Sequence, residues 1–438
     1  MLRIMRKISG ALLVLVVSLI VVPDSVSATT TAARTCKQIL AKFPNGIARN
    51  RASSRAAESL GYAKPAIQAK LYTSVRRLDR LKNGTACVVE ANKRTPLPGL
   101  SAPTVTSATE PQVLGHPAVS EAQANAVGSA GGMCMVAMRD GKILGEWYFG
   151  GSTPTTRYLP ASSSKPAAAA VVGAAIQLGR LKLDQSAADF IPQWRGTSKA
   201  GITVRHLLTH TSGLKSSSLE AGLAFYTSAG TSTSLALNLP LTAAPGTTFD
   251  YDSSTVALQV LVKVVEGATG ESFRSFAEKY VFRPAGMANT GYKGDDPATN
   301  GEQGDPALGI ALNTTCRDLA RLGQLFHQKG RWENQQIFSS QFASDATSVQ
   351  IPNAILPNIG AATYGFLHSF NFNTIGHMGG CGHVLATMPS GVTVAMMSNT
   401  PYHPTLAAAQ AQQRSATCAL ARVSAVTQAA LTVARLGF

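Results

Sequence analysis

Beyond residue 112 the chain alternates between short apolar stretches and longer segments with helical spacing. Residues 118 to 127 read as a helix. Residues 133 to 138 and 143 to 149 are apolar runs on either side of Asp140-Gly141, a dipeptide suited to a hairpin turn because both positions tolerate positive φ. A long, mainly helical region follows to about residue 330. Three strands are expected near residues 367 to 377, 383 to 388 and 392 to 398, the last two joined by Pro389-Ser390-Gly391. Residues 405 to 436 read as a final Ala-rich helix with Leu406, Cys418, Leu420, Val423, Val426 and Leu431 available for burial. Strands at both ends enclosing helices predict an α+β fold. Its antiparallel sheet is assembled from distant parts of the chain and flanked by helices, with an inserted all-α subdomain.

The first hundred residues differ. Arg3, Arg6 and Lys7 precede an apolar run from Ala11 to Val22 and then Val26-Ser27-Ala28, the pattern of a secretory signal peptide over residues 1–28. The run falls short of the ~20 residues a membrane-spanning helix needs. Export lets the six cysteines, Cys36, Cys87, Cys134, Cys316, Cys381 and Cys418, form disulfides. Their pairing stays open at this level. The net charge of +16 is also unevenly placed, since residues 29 to 100 hold 14 Lys and Arg against 3 Asp and Glu. A small basic module over residues 34–90, a Pro/Ser/Thr-rich linker over 95–111 and a large domain over 112–438 follow from this asymmetry.

Candidate chemistry lies in the large domain. Ser162-Ser163-Ser164-Lys165 places serine and lysine on one face of a helix, where a partly desolvated lysine can take the serine proton. Amide donors at the helix start, including that of Ser162, can hold a developing oxyanion. Pro245-Gly246 leads through Asp250, Tyr251, Asp252 and Ser253 into an apolar helix from Val256. Gly376-His377-Met378-Gly379-Gly380 is a glycine-rich strand open to close approach.

Taken together with Ile202-Thr203-Val204-Arg205-His206-Leu207-Leu208-Thr209-His210-Thr211-Ser212-Gly213-Leu214 and Pro284-Ala285-Gly286-Met287, these segments resemble the β-lactamase-related serine hydrolases over about residues 130 to 400. That family includes class C β-lactamases, D-amino-acid peptidases, carboxylesterases and 6-aminohexanoate-dimer hydrolases. The resemblance implies Ser162 as nucleophile, Lys165 and Tyr251 sharing the proton transfers, and Ser253, His377 and Gly379 on the substrate side. It also implies that His210 is structural. Three departures from the family stand out: Ser253 replaces an asparagine, Pro166 directly follows Lys165, and His377-Met378 replaces the Lys-Thr or Lys-Ser that grips a substrate carboxylate. A secreted serine hydrolase of carboxylic esters or small amides and peptides is therefore expected, without metal or organic cofactor. The alternatives are a β-lactamase, a D-Ala-D-Ala carboxypeptidase, or a catalytically weak, wall-attached binding protein.

In the basic module, Cys36, Phe43-Pro44-Asn45-Gly46 and Asp79-Arg80-Leu81-Lys82-Asn83-Gly84-Thr85-Ala86-Cys87 resemble the Excalibur module of secreted bacterial proteins. The resemblance implies a Cys36 to Cys87 bridge. Its calcium loop is depleted here, because Leu81 and Asn83 stand at acidic positions and Asp79 lies amid Arg76, Arg77, Arg80 and Lys82. A hard divalent cation needs more charged oxygens than that. The surplus charge suits an anionic cell-wall polymer or membrane surface. Export and the scattered Phe43, Tyr62 and Tyr72 argue against nucleic acid as partner.

Overall fold

A computed structural model of the chain describes residues 47–48, 66–67, 70, 85–86, 112, 114–216, 232–295, 303–356, 360–371, 373–398 and 432. The contacts divide the chain into two units, Met1–Asn92 and Lys93–Phe438. The expected signal peptide, Cys36, Cys87, the Asp79 loop and the final helix, apart from a helical Thr432, lie outside the described residues, as does the linker. In the first unit Ile47–Ala48 pairs parallel with Ala66–Ile67 and antiparallel with Thr85–Ala86.

In the second unit, helix α1 (Glu121–Ser129) begins where Ser120 and Gln123 form a reciprocal capping box, slightly later than the apolar spacing suggests. Strands β1 (Gly132–Arg139) and β2 (Lys142–Tyr148) form the expected hairpin, with Asp140 at φ 51° and Gly141 at φ 76° in its turn. The late strands are β3 (Ile351–Leu356), β4 (Gly360–Tyr364), β5 (Ser369–Asn371), β6 (Thr374–Gly379), β7 (His383–Thr387) and β8 (Thr393–Ser398). All eight form one sheet in the order β3-β4-β5-β6-β7-β8-β1-β2. Every pairing is antiparallel, and β8 meets the early hairpin through Thr393 opposite Met138.

Two readings of the strands need correction. The single strand expected at 367 to 377 is a hairpin, β5 and β6, because Asn373 takes φ 60° and turns the chain. Strands β3 and β4 escape sequence reading because Pro352 is tolerated on an edge strand and Gly360-Ala361-Ala362 has little strand preference.

The sheet is covered on both faces. Cys134, Val136 and Met138 of β1 join the larger core, while Met135 and Ala137 join a second core with Val127 of α1. Alternate residues thus meet different layers, which is why these strands read as continuous apolar runs. Helix α2 (Lys165–Gln177), helix α3 (Tyr251–Ala257) and helix α4 (Val260–Thr269) belong to the helical insertion, and helix α5 (Cys316–His327) packs against β1, β7 and β8. A Cys134–Cys316 disulfide ties β1 to the start of α5 across 182 residues of chain. Beside it, buried Arg317 donates to both carboxylate oxygens of buried Glu146, at 2.8 and 2.7 Å. Cys381 is disulfide-bonded as well.

Candidate active site

Ser162 lies on a 3₁₀ turn, Ala161–Ser164, that runs into α2. Ala161 holds φ 44°, a left-handed conformation that costs a non-glycine residue roughly 1 kcal/mol. Its neighbours fix the turn. The Ser163 hydroxyl donates to the His377 carbonyl at 2.8 Å, and the Ser164 hydroxyl accepts from the Leu312 N–H at 3.1 Å. Ser163 and Ser164 are buried and bonded, whereas Ser162 keeps access to solvent. Among the three consecutive serines the tertiary contacts therefore single out Ser162. Pro166 stands in the first turn of α2, where its missing N–H deprives the helix of no bond.

Lys165 is fully buried, with Nζ 2.9 Å from Ser162 Oγ and 3.2 Å from the Gly309 carbonyl. Burial strips water from the ammonium and lowers its pKa from 10.5 to about 7, partly opposed by the negative charge of Asp252. As a free amine, Lys165 can donate to Gly309 and accept the Ser162 proton on its lone pair. Its Nζ also lies 4.8 Å from the centroid of the Tyr251 ring.

Tyr251 is the first residue of α3, not part of the turn before it, because Asp250 caps the helix by accepting from the Ser253 N–H at 3.0 Å. Burial raises the phenol's pKa, a hydrogen bond with Ser162 pulls it back, and Asp252 raises it again. Tyr251 is consequently a neutral phenol at neutral pH. The loop before it is docked on the Thr209-His210-Thr211-Ser212-Gly213 segment, since Gly246 N–H donates to Thr211 O at 2.7 Å and Asp250 N–H to His210 O at 3.0 Å. Gly213, at φ 75°, would place a Cβ 2.1 Å from Ala243 O. His210 itself is buried, stacked on Tyr364 at 5.1 Å and edge-on to Tyr251 at 5.3 Å.

His377 lies on β6 opposite Tyr251. Its Nδ1 faces the Met378 carbonyl at 2.9 Å, so Nδ1 carries the proton, and Nε2 accepts from the region of the Tyr251 and Tyr364 hydroxyls at 3.3 and 3.4 Å. Burial, reinforced by the Lys165 charge, holds its pKa well below 6.5. The ring is neutral and supplies no cation. A Cβ on Gly379 would fall 2.2 Å from Pro160 O, so this glycine is required by the close approach of the chain leading into the Ser162 turn.

Ser162, Lys165, Tyr251 and His377 thus meet in one place. Ser253 is buried, with its side chain hydrogen-bonded to Asp250. Among the described residues no hydrogen bond joins it to Ser162 or Lys165. Gly309, Tyr364 and Phe249, whose ring is tilted 60° against Tyr364 at 5.4 Å, carry no local sequence signal, since only the folded chain brings them to the centre. Among the described residues no three His, Cys, Asp or Glu side chains gather as a metal site.

The β-lactamase family profile matches residues 120–418. Esterase EstB of Burkholderia gladioli is 33% identical over 159 residues, a match spanning 32% of this chain and 40% of that protein. A family VIII carboxylesterase superposes with a TM-score of 0.54 at 15% identity, over 73% of this chain and 99% of that one. A penicillin-binding protein homologue from Caulobacter crescentus does so with a TM-score of 0.52 at 16% identity, over 72% and 98%. At these identities the two structures speak for the fold alone.

Proposed function

Starting from a chain that belongs to the β-lactamase family, we propose that it is a serine hydrolase cleaving carboxylic esters through an acyl-enzyme on Ser162. The observation that carries this reading is the buried Lys165 amine, 2.9 Å from Ser162 Oγ and with a pKa near 7. Lys165 accepts the Ser162 proton as the oxygen attacks the substrate carbonyl. The Ser162 N–H at the head of the turn is offered to the developing oxyanion, whereas the Ser163 N–H donates to the Pro160 carbonyl at 2.9 Å. Collapse of the tetrahedral species expels the alkoxide, which takes a proton from the neutral Tyr251 hydroxyl as Lys165 passes to the phenol the proton it took from Ser162. Water then attacks the acyl-enzyme by the same route in reverse. Phenol and amine divide the work because burial moves their pKa values apart.

Esters are favoured over β-lactams and D-Ala-D-Ala peptides because neutral His377 offers a substrate carboxylate no permanent cation. The esterase relative supports the same choice. Export through residues 1–28 and attachment of the basic module to anionic wall polymer or membrane complete the proposal, resting on the sequence pattern and the local charge. Intact mass after incubation with a neutral fluorophosphonate tests the core of it. One adduct is expected on the wild type and none on Ser162→Ala. An undiminished adduct in that variant would remove Ser162 from the mechanism.

A further inference from the structure

We propose that Tyr364 is a positioning residue for the proton relay: by donating its hydroxyl proton to His377 Nε2 it occupies the acceptor that competes for the Tyr251 proton, and so keeps that proton available to the departing alkoxide. The inference rests on Ser162 being the nucleophile and Tyr251 the acid.

Protons and lone pairs around His377 carry it. Nδ1 faces the Met378 carbonyl at 2.9 Å and holds the ring proton, which leaves Nε2 a single lone pair. Two phenols reach that lone pair, Tyr251 at 3.3 Å and Tyr364 at 3.4 Å. They differ in what else they can bond. Tyr251 has a second partner in the Ser162 hydroxyl. The Tyr364 hydroxyl has no hydrogen-bond partner but Nε2 among the described residues, and His210, stacked on its ring at 5.1 Å, takes no hydrogen bond on either nitrogen. Tyr364 is fully buried, and a buried hydroxyl left without an acceptor pays its whole desolvation cost. The lone pair therefore goes to Tyr364, and the Tyr251 proton turns towards Ser162.

The sheet holds Tyr364 where this requires it. The residue ends β4, paired with Ile351 of β3 on one side and Ser369 of β5 on the other, and its carbonyl accepts the Gln350 N–H at 2.9 Å. Its ring packs in one small cluster with Tyr251, Ala354 and Phe249. The two strands hidden from the sequence pattern thus deliver a hydroxyl to the catalytic centre.

The test compares two esters of one acyl group: a 4-nitrophenyl ester, whose phenolate leaves without a proton, and an ethyl ester, whose alkoxide needs one. The quantity read is the ratio of their kcat/KM values, which reports acylation alone and does not depend on the fraction of enzyme that folds. Tyr364→Phe keeps the ring and frees Nε2 to take the Tyr251 proton. Its kcat/KM for the ethyl ester should fall on the order of tenfold, the worth of one hydrogen bond, and for the aryl ester by less than about twofold. Tyr364→Leu should shift the ratio likewise, and takes its place if Tyr364→Phe yields no active protein. Replacement of Tyr364 by 3-fluorotyrosine, which retains the hydroxyl, should keep the wild-type ratio. An unchanged ratio on loss of the hydroxyl, whether both rates stand or fall together, overturns the role of Tyr364, and so does an equal shift with 3-fluorotyrosine. Two controls mark the levels beneath it. If Tyr251→Phe leaves the ratio unchanged, the acid role of Tyr251 fails and this inference with it; if the neutral fluorophosphonate does not label the wild type, the Ser162 reading fails and takes both.

Discussion

Lowering the pH through 7 should switch the enzyme off by returning a proton to Lys165. Its amine titrates at about 7 against an ordinary 10.5, a difference worth roughly 5 kcal/mol. Near pH 7 about half the molecules then carry the free base, compared with about one in three thousand for an exposed lysine. If the unprotonated amine is the base, as proposed, kcat/KM for an uncharged ester should rise about tenfold per pH unit below 7 and level off above it. Lys165→Arg keeps the charge but cannot lose its proton, and should cost roughly a thousandfold. Asp252→Asn should move the midpoint downward, since the Asp252 carboxylate favours the ammonium. The assay is the pH profile of kcat/KM between pH 5 and 9, with far-UV circular dichroism at each pH to confirm folding. A flat profile, or one still rising tenfold per unit at pH 9, would refute the buried lysine as base.

Four further outcomes follow from other parts of the structure. Gly379→Ala should lower ester turnover at least tenfold, because its Cβ would lie 2.2 Å from Pro160 O and displace the nucleophile's turn; wild-type kcat/KM would contradict that packing. Joint replacement of Cys134 and Cys316 by serine should lower the urea midpoint by an equivalent of about 3 to 5 kcal/mol, given the 182-residue separation, and an unchanged midpoint would show that the bridge adds nothing. Asp250→Ala should cost about 1 kcal/mol of stability through loss of the α3 cap and slow acylation through Tyr251; normal acylation would mean the cap does not position the phenol. Deleting residues 29 to 100 should leave turnover of a small ester intact while ending salt-sensitive retention on anionic wall material, whereas release by chelator but not by salt would point to metal at the Asp79 loop.

Periodic and local features were legible in the chain. The Asp140-Gly141 hairpin, the apolar runs of β7 and β8 and the sheet closing through both ends follow from patterning that a buried strand or a tight turn imposes on its own residues. Ser162, Lys165, Tyr251 and His377 were recognisable through the order of their motifs, each defined by neighbours a few positions away. Relations between remote segments were not legible. Ser162, the serine that keeps access to solvent, is set apart from its two neighbours by their bonds to His377 and Leu312. Gly379 is glycine because Pro160 O approaches it, and Lys165 gives up its proton near pH 7 because burial excludes water from it. The Cys134–Cys316 pairing likewise required β1 and α5 to be side by side. Sequence fixes what a residue can do chemically and which local backbone it prefers. Desolvation, close approach and pairing depend on which distant atoms share a volume, and only the tertiary structure decides that.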